Sequence, residues 1–287
     1  MTIRLAGILV GIGITAVLVL WSMVPGVINL VSGPPVEKPA YYAFKEKPHA
    51  PEGGFSFAGP VGKWDYAQLQ RGYSVYKQVC SACHGLKFVA FRNLEELGYS
   101  EEQVRAEAAT WNVPGIDPNT GEAVMRPALP TDYFPNPYPN NVAAAAANNN
   151  AIPPDLSLMT KARKDGSNYV YSLMSGYVDP DPEKLAAAQE KGFETPTGLY
   201  FNPWFANVNL AMPPQLYEGS ITYDDGTDAT VDQMAQDVAA FLTWTAEPSM
   251  IKRKQTGWAV ILFLLFATGL AYMSYKQIWA GMKSKKK

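Results

Sequence analysis

Five consecutive residues, Cys80-Ser81-Ala82-Cys83-His84, constrain this chain more than any other stretch of it. They hold its only two cysteines and one of its two histidines. C-x-x-C-H is the attachment signature of a c-type haem. Two thiols at this spacing add across the two vinyl groups of one porphyrin, and the adjacent histidine then falls under the iron as proximal ligand.

Other readings of the pentapeptide are weaker. A zinc site takes four protein ligands, and Cys80, Cys83, His84 and the remote His49 are all the soft ligands the sequence offers. A thioredoxin-like dithiol opens a helix in an alternating strand–helix domain, and no such alternation is visible. A disulfide across a two-residue gap would be strained and would leave His84 without a role. One covalently bound c-type haem is the reading we adopt, and both cysteines are then used.

Two apolar runs bracket the chain. Leu5 to Val24 and Thr256 to Tyr275 are each 20 residues without a charge. At 1.5 Å per residue, each reaches about 30 Å, the thickness of a bilayer's hydrocarbon core. The expected organisation is an N-terminal apolar segment at 1–32, a haem domain at 33–250, and a transmembrane anchor with a basic tail at 251–287. The first run is longer than a signal peptide's h-region and lacks an A-x-A cleavage site. We read it as an uncleaved signal-anchor, with a removable signal peptide as the alternative. Haem is joined to C-x-x-C-H on the outer side of an energy-transducing membrane, so residues 33–250 belong there.

The charge is unevenly spread. All 26 acidic residues lie between Glu37 and Glu247 with only 15 Lys and Arg among them, a net −11, while the whole chain carries −2. From Gly192 to Ile251 there are eight acids and no base. Such a surface keeps a domain soluble, repels nucleic acid and attracts a cationic partner.

The pattern between the apolar runs is mainly helical. Leu69, Tyr73, Tyr76 and Val79 have helical spacing across Trp64–Val79, which runs into the haem motif. Gly72 inside that stretch costs about 1 kcal/mol relative to Ala, which a close helix crossing explains. Leu94 to Ala109 predicts a charged, exposed helix, and Trp111 to Pro139 a proline- and aromatic-rich ordered loop. Ala143–Ala147 with Asn148-Asn149-Asn150 reads as a short low-complexity stretch. Ser157–Gly176 continues as one helical pattern, and Asp179–Glu194 is acidic and exposed. Asp225-Gly226 signals a small β-hairpin at 221–227. Thr230, with Gln233 three residues on, opens a helix striped by Val231, Met234, Ala235, Val238 and Leu242.

A haem that only passes electrons has both axial positions filled. The candidates for the sixth ligand are Met125, Met159, Met174, Met212, Met234, Met250 and His49. Met159, Met174 and Met234 fit helical core stripes, Met250 abuts the second apolar run, and His49 sits in an extended loop. Met212 lies in Leu210-Ala211-Met212-Pro213-Pro214, where two prolines fix the backbone and steady a weak thioether donor. Spacing alone favours Met212 and leaves Met125 as the runner-up.

The chain also resembles the cytochrome c1 family, in its bacterial type, the haem subunits of the quinol–cytochrome c reductase or cytochrome bc1 complex. The resemblance rests on Gly72-Tyr73-Ser74-Val75-Tyr76 and Cys80–His84, then Pro153-Pro154-Asp155-Leu156-Ser157, Ala162-Arg163 and Tyr169–Leu173. It continues in Ala211–Pro214, Tyr223–Thr227 and Phe241–Pro248. It implies a class I cytochrome c-like fold with long loops, whose first and last haem-domain helices cross. It also implies Met212 as sixth ligand, Arg163 near a haem propionate, and Tyr169 and Asn148 in the haem pocket. The expected role is an electron conduit in a bacterial inner membrane, with the haem domain periplasmic. Cytochrome b and a Rieske iron–sulfur subunit would be partners within a dimeric complex, cytochrome c the acceptor, and the quinol site would lie in another subunit.

A competing class is a haem enzyme or gas sensor with an open sixth position. It is disfavoured by the lack of a second haem motif and by the poor setting of His49.

Overall fold

A computed structural model describes residues 3–32 and 38–283. Residues 33–37 of the lead-in and Lys285–Lys287 of the basic tail lie outside the described residues. The chain divides between Tyr42 and Ala43 into two compact units.

The first unit contains one long helix, α1 (Ile3–Ser32), which runs through Pro25. It is apolar enough and long enough to cross a membrane.

The second unit is mainly helical. Its first helix, α2 (Tyr66–Gln78), starts where the Asp65 carboxylate accepts a hydrogen bond from the Gln68 N–H. It buries Leu69, Gly72, Tyr73, Val75 and Tyr76, the face the spacing predicts. One 3-10 turn, Cys80–Ala82, follows directly, and another runs over Phe91–Leu97. Helix α3 (Glu101–Ala109) is closed by a reciprocal Ser100–Gln103 capping box. Two strands come next, β1 (Asn112–Ile116) and β2 (Ala123–Pro127), paired antiparallel with Asn112 opposite Pro127. Helices α4 (Asn141–Ala147), α5 (Met159–Ala162), α6 (Gly166–Ser175) and α7 (Pro182–Gln189) lead to a two-residue ladder. That ladder pairs β3 (Tyr200–Phe201) with β4 (Asn209–Leu210). Helix α8 (Val231–Ala246) and the long α9 (Met250–Lys283) complete the unit. Like α1, α9 has the length and apolarity of a membrane span.

The core forms where α2, α5 and α6 pack on α8. Gly72 lies at the α2–α8 crossing, where an added Cβ would run into the Asp237 carbonyl and the Phe241 Cβ. That is the close approach its place in the sequence predicts. Thr230 caps α8 by accepting from the Gln233 N–H at 3.1 Å. The stripe expected on α8 is too narrow, because neighbours on several sides bury it almost all round from Met234 to Thr245.

Four local expectations need correcting. Leu94–Ala109 is not one helix: Gly98, at φ +94°, separates the 3-10 turn from α3. Leu94 and Leu97 are buried in the core rather than exposed, beside Phe91 of the same turn. The hairpin lies at 112–127 rather than 221–227, where Gly226 closes only a turn with Tyr223. The expected loop thus carries the sheet, turned by Asp117, whose carboxylate accepts from the Asn119 and Thr120 amides. Finally, the 157–176 pattern breaks at Asp165, at φ +66°, into α5 and α6.

Candidate haem site

Helix α2 delivers the haem motif. In the turn that follows, the Cys83 and His84 N–H groups both donate to the Cys80 carbonyl, at 3.1 and 2.9 Å. This brings two half-buried, unpaired thiols and an imidazole onto one tight loop. Burial, then Cys83, pushes the Cys80 thiol up to about 12. The Tyr138 hydroxyl lies 3.7 Å from Cys83 Sγ.

The histidine is oriented by a segment 70 residues away. Its Nδ1 sits 2.7 Å from the Pro154 carbonyl. A carbonyl only accepts, so Nδ1 carries the proton and the Nε2 lone pair is left for a metal. Burial holds the His84 pKa below its ordinary value, against the pull of that same carbonyl. The neutral ring is the form a metal needs.

Pro154–Ser157 is laced to the motif at further points. The Leu156 N–H donates to the Gly85 carbonyl at 2.9 Å, and the Lys87 N–H to Asp155 Oδ2 at 2.9 Å. The Phe88 N–H reaches Ser157 Oγ at 3.2 Å, and Asp155 Oδ1 accepts from the Ser157 N–H at 3.0 Å. The Tyr76 hydroxyl closes the other side on the His84 carbonyl at 3.1 Å. The sequence marked this proline pair as a motif without revealing its task, which is to aim the imidazole.

A second set of predicted site residues is linked to Met212, just after β4, through Tyr177. Met212 is half-buried, and its carbonyl accepts from the Tyr177 hydroxyl at 2.9 Å. Tyr169 is half-buried on α6, and burial raises its pKa while neighbouring Arg163 pulls it back. Arg163 is exposed, at the break between α5 and α6. Tyr169 in turn lies close enough to Tyr177 to raise the pKa of its hydroxyl. Tyr177 escaped the sequence reading; its only local signal is its place just after the helical stretch.

Asn148 does not join either group through its hydrogen bond. Its amide donates back to the Ala144 carbonyl of α4 at 2.7 Å. Among the other sixth-ligand candidates, Met234 is buried in the core and Met125 is 64% exposed on β2. His49 is exposed, bonded through its backbone to Ser172 and set edge-on to the Tyr171 and Trp204 rings.

The donor set fits a haem. Two free thiols stand in one turn with a neutral imidazole whose Nε2 is unclaimed. A mainly helical domain with crossing helices and such a turn falls in the class of haem-binding cytochromes.

Comparison with known proteins narrows the class. The model of the cytochrome C1 family matches residues 55–282. Cytochrome c1 of Rhodospirillum rubrum is 46% identical over 236 residues, 80% of this chain and 87% of that protein. The mitochondrial cytochrome c1 haem protein of Saccharomyces cerevisiae is 41% identical over 238 residues, 83% of this chain and 74% of that protein. Cytochrome b/c1 of Bradyrhizobium diazoefficiens is 45% identical over 243 residues, 80% of this chain, which spans only 35% of that longer relative. The chain belongs to the cytochrome c1 family. It is a haem-binding subunit of the cytochrome bc1 complex.

Proposed function

We propose that the chain is a membrane-anchored electron carrier, taking an electron from a Rieske iron–sulfur protein and passing it to a cytochrome c. The observation that carries this reading is the His84–Pro154 hydrogen bond beside two free thiols, a donor set built for one haem. Bound there, the haem supplies a one-electron couple. The protein's part is to hold and orient. Cys80 and Cys83 attach the group covalently, His84 offers Nε2 and Met212 offers its thioether. Arg163, a permanent planar cation, suits a propionate partner, with Tyr169 beside it. Asn148 is assigned to the same pocket on family resemblance.

Residues 33–250 form the outer-side domain in this reading and 251–287 the anchor with its basic tail. In a bacterial inner membrane the haem domain then faces the periplasm, next to cytochrome b and the iron–sulfur subunit in a dimeric complex. Electron-transfer contacts are small and weak. Exposed acids such as Glu183, Glu190, Glu218 and Asp224 suit electrostatic steering of a basic cytochrome c. Asp237 takes no part in that surface, being wholly buried against Arg71.

The test has two arms. Replacing Cys80 and Cys83 with Ala should abolish the haem that stays with the chain through denaturing electrophoresis. Met212→Leu should keep that covalent haem, lower the reduction potential and let the reduced iron bind carbon monoxide, since a thioether favours the reduced state. A double-cysteine variant that still retains haem through denaturation would overturn covalent attachment. An unchanged spectrum in Met212→Leu would move the sixth ligand elsewhere.

A further inference from the structure

Three consecutive carbonyls around Met212 each accept a hydrogen bond from a side chain. Tyr177 donates to Met212 O at 2.9 Å, Gln215 Nε2 to Pro213 O at 3.1 Å, and the Tyr217 hydroxyl to Pro214 O at 2.9 Å. Pro213 and Pro214 have no N–H, so this stretch cannot extend the β3–β4 ladder that ends at Leu210. Its position is set from outside.

Of the three donors, Tyr177 is the one anchored in the fold's frame. It follows Gly176, where an added Cβ would run into the Trp204 ring. The Trp204 backbone N–H donates to Asn202 Oδ1 at 3.2 Å. Asn202 is itself fully buried and donates its amide to the Leu173 carbonyl at 2.9 Å. The end of α6 and residues 202–204 are therefore one block, and α6 packs on the central α8. Gln215 and Tyr217, by contrast, sit in the same loop they brace. A carbonyl oxygen can only accept, so in this 2.9 Å pair the Tyr177 hydroxyl is the donor.

We infer that Tyr177 is the positioning residue for the sixth ligand: its hydroxyl fixes the Met212 backbone and so holds the thioether at ligating reach. This rests on Met212 being that ligand. A thioether is a weak donor, and a ligand must stay within about 0.5 Å of its productive place. A backbone free to drift would lose the iron to any stronger competitor. One hydroxyl therefore governs how readily the site opens.

The experiment uses the full-length, haem-loaded chain in detergent and titrates imidazole against the oxidised protein, followed by visible absorption. Tyr177→Phe keeps the ring and removes only the hydrogen bond. It should bind imidazole about 3- to 10-fold more tightly, the range one net hydrogen bond supports. Tyr217→Phe, at the more distant carbonyl, should shift the affinity less. Met212→Leu should bind imidazole without competition, and adding Tyr177→Phe to it should change nothing more, because the coupling runs through the methionine.

If Met212→Leu raises the affinity but Tyr177→Phe leaves it unchanged, the positioning role is wrong and the ligand assignment stands. If Met212→Leu has no effect, both readings fall. A Tyr177→Phe shift that persists undiminished in the Met212→Leu background would mean that the tyrosine shapes the pocket directly, which also overturns the inference.

Discussion

The α2–α8 crossing, which leads into the Cys80–His84 turn, and the Met212 loop are held by different physics. The crossing is regular and dry: Leu69, Tyr76, Phe241 and Trp244 are almost wholly buried around Gly72. Fully burying a leucine or phenylalanine such as Leu69 or Phe241 contributes about 1.5–3 kcal/mol. The loop has no regular structure after Leu210, and side-chain donors brace its carbonyls at 2.9–3.1 Å. Each of those bonds nets about 0.5–1.5 kcal/mol. The crossing supplies stability, and the loop supplies the placement of one side chain. Variants in the crossing should therefore lower unfolding free energy with little effect on the iron's sixth ligand, and variants in the loop should do the reverse.

Arg71→Ala should show the largest effect. Arg71 Nε meets Asp237 Oδ2 at 2.9 Å, and the Asp237 side chain is wholly buried. Burial pushes that carboxyl up, and Arg71 with Gln233 pulls it back. Removing the guanidinium strands a buried charge, which costs about 3–5 kcal/mol. Denaturant unfolding measures this directly, and imidazole affinity in the folded protein should stay at the wild-type value. A loss below about 1 kcal/mol would mean the pair is solvated. A shifted imidazole affinity would mean the two regions are not separate.

Gly72→Ala comes next and tests the geometry of the crossing. A methyl there would lie 2.6 Å from the Phe241 Cβ and press on the Asp237 carbonyl. Helix propensity alone would favour Ala by about 1 kcal/mol. The obstacle, however, is backbone and Cβ, which do not swing aside, so overpacking should win by about 1–3 kcal/mol. A more stable Gly72→Ala protein would show that the helices part easily.

The same contrast explains what could be read from the sequence. The α2 face and the Thr230 cap were legible, because each follows from neighbours within a turn or two of helix, and Gly72 was legible because a glycine inside a helical pattern signals a close approach, though not by which partner. The family motifs carried the rest of the recognition. What stayed hidden depends on contacts between distant segments. Nothing near His84 announces that Pro154 orients it, and nothing near Tyr177 announces Met212, 35 residues on. The misread pieces fail for the same reason. Leu94 and Leu97 looked like the edge of a charged helix, yet Gly98 breaks it and the core claims them. The hairpin at 112–127 hid among prolines that strands seldom carry.

The smallest expected effect separates two carboxylates that share one arginine. Asp237 is buried and its pKa is raised; Asp225 lies at the surface, 2.9 Å from Arg71 Nη1, and is held down to about 2. The Thr227 backbone N–H is the main cause of that depression, with Arg71 second. A carboxylate whose folded pKa lies below its unfolded value stabilises the fold above the unfolded value, 3.8 here, and loses that contribution as pH falls through about 2. Asp237 has the opposite sign, so only the exposed member of the pair adds to acid sensitivity. Asp225→Asn should therefore flatten part of the decline in stability between about pH 4 and pH 2, and leave the share due to Glu107, whose pKa is also lowered. Solvent screening keeps this share small. Denaturant midpoints for both proteins at pH 7, 4, 3 and 2.5 would measure it. Parallel curves across that window would show that Asp225 carries no net stabilisation and that Arg71 serves the buried carboxylate alone.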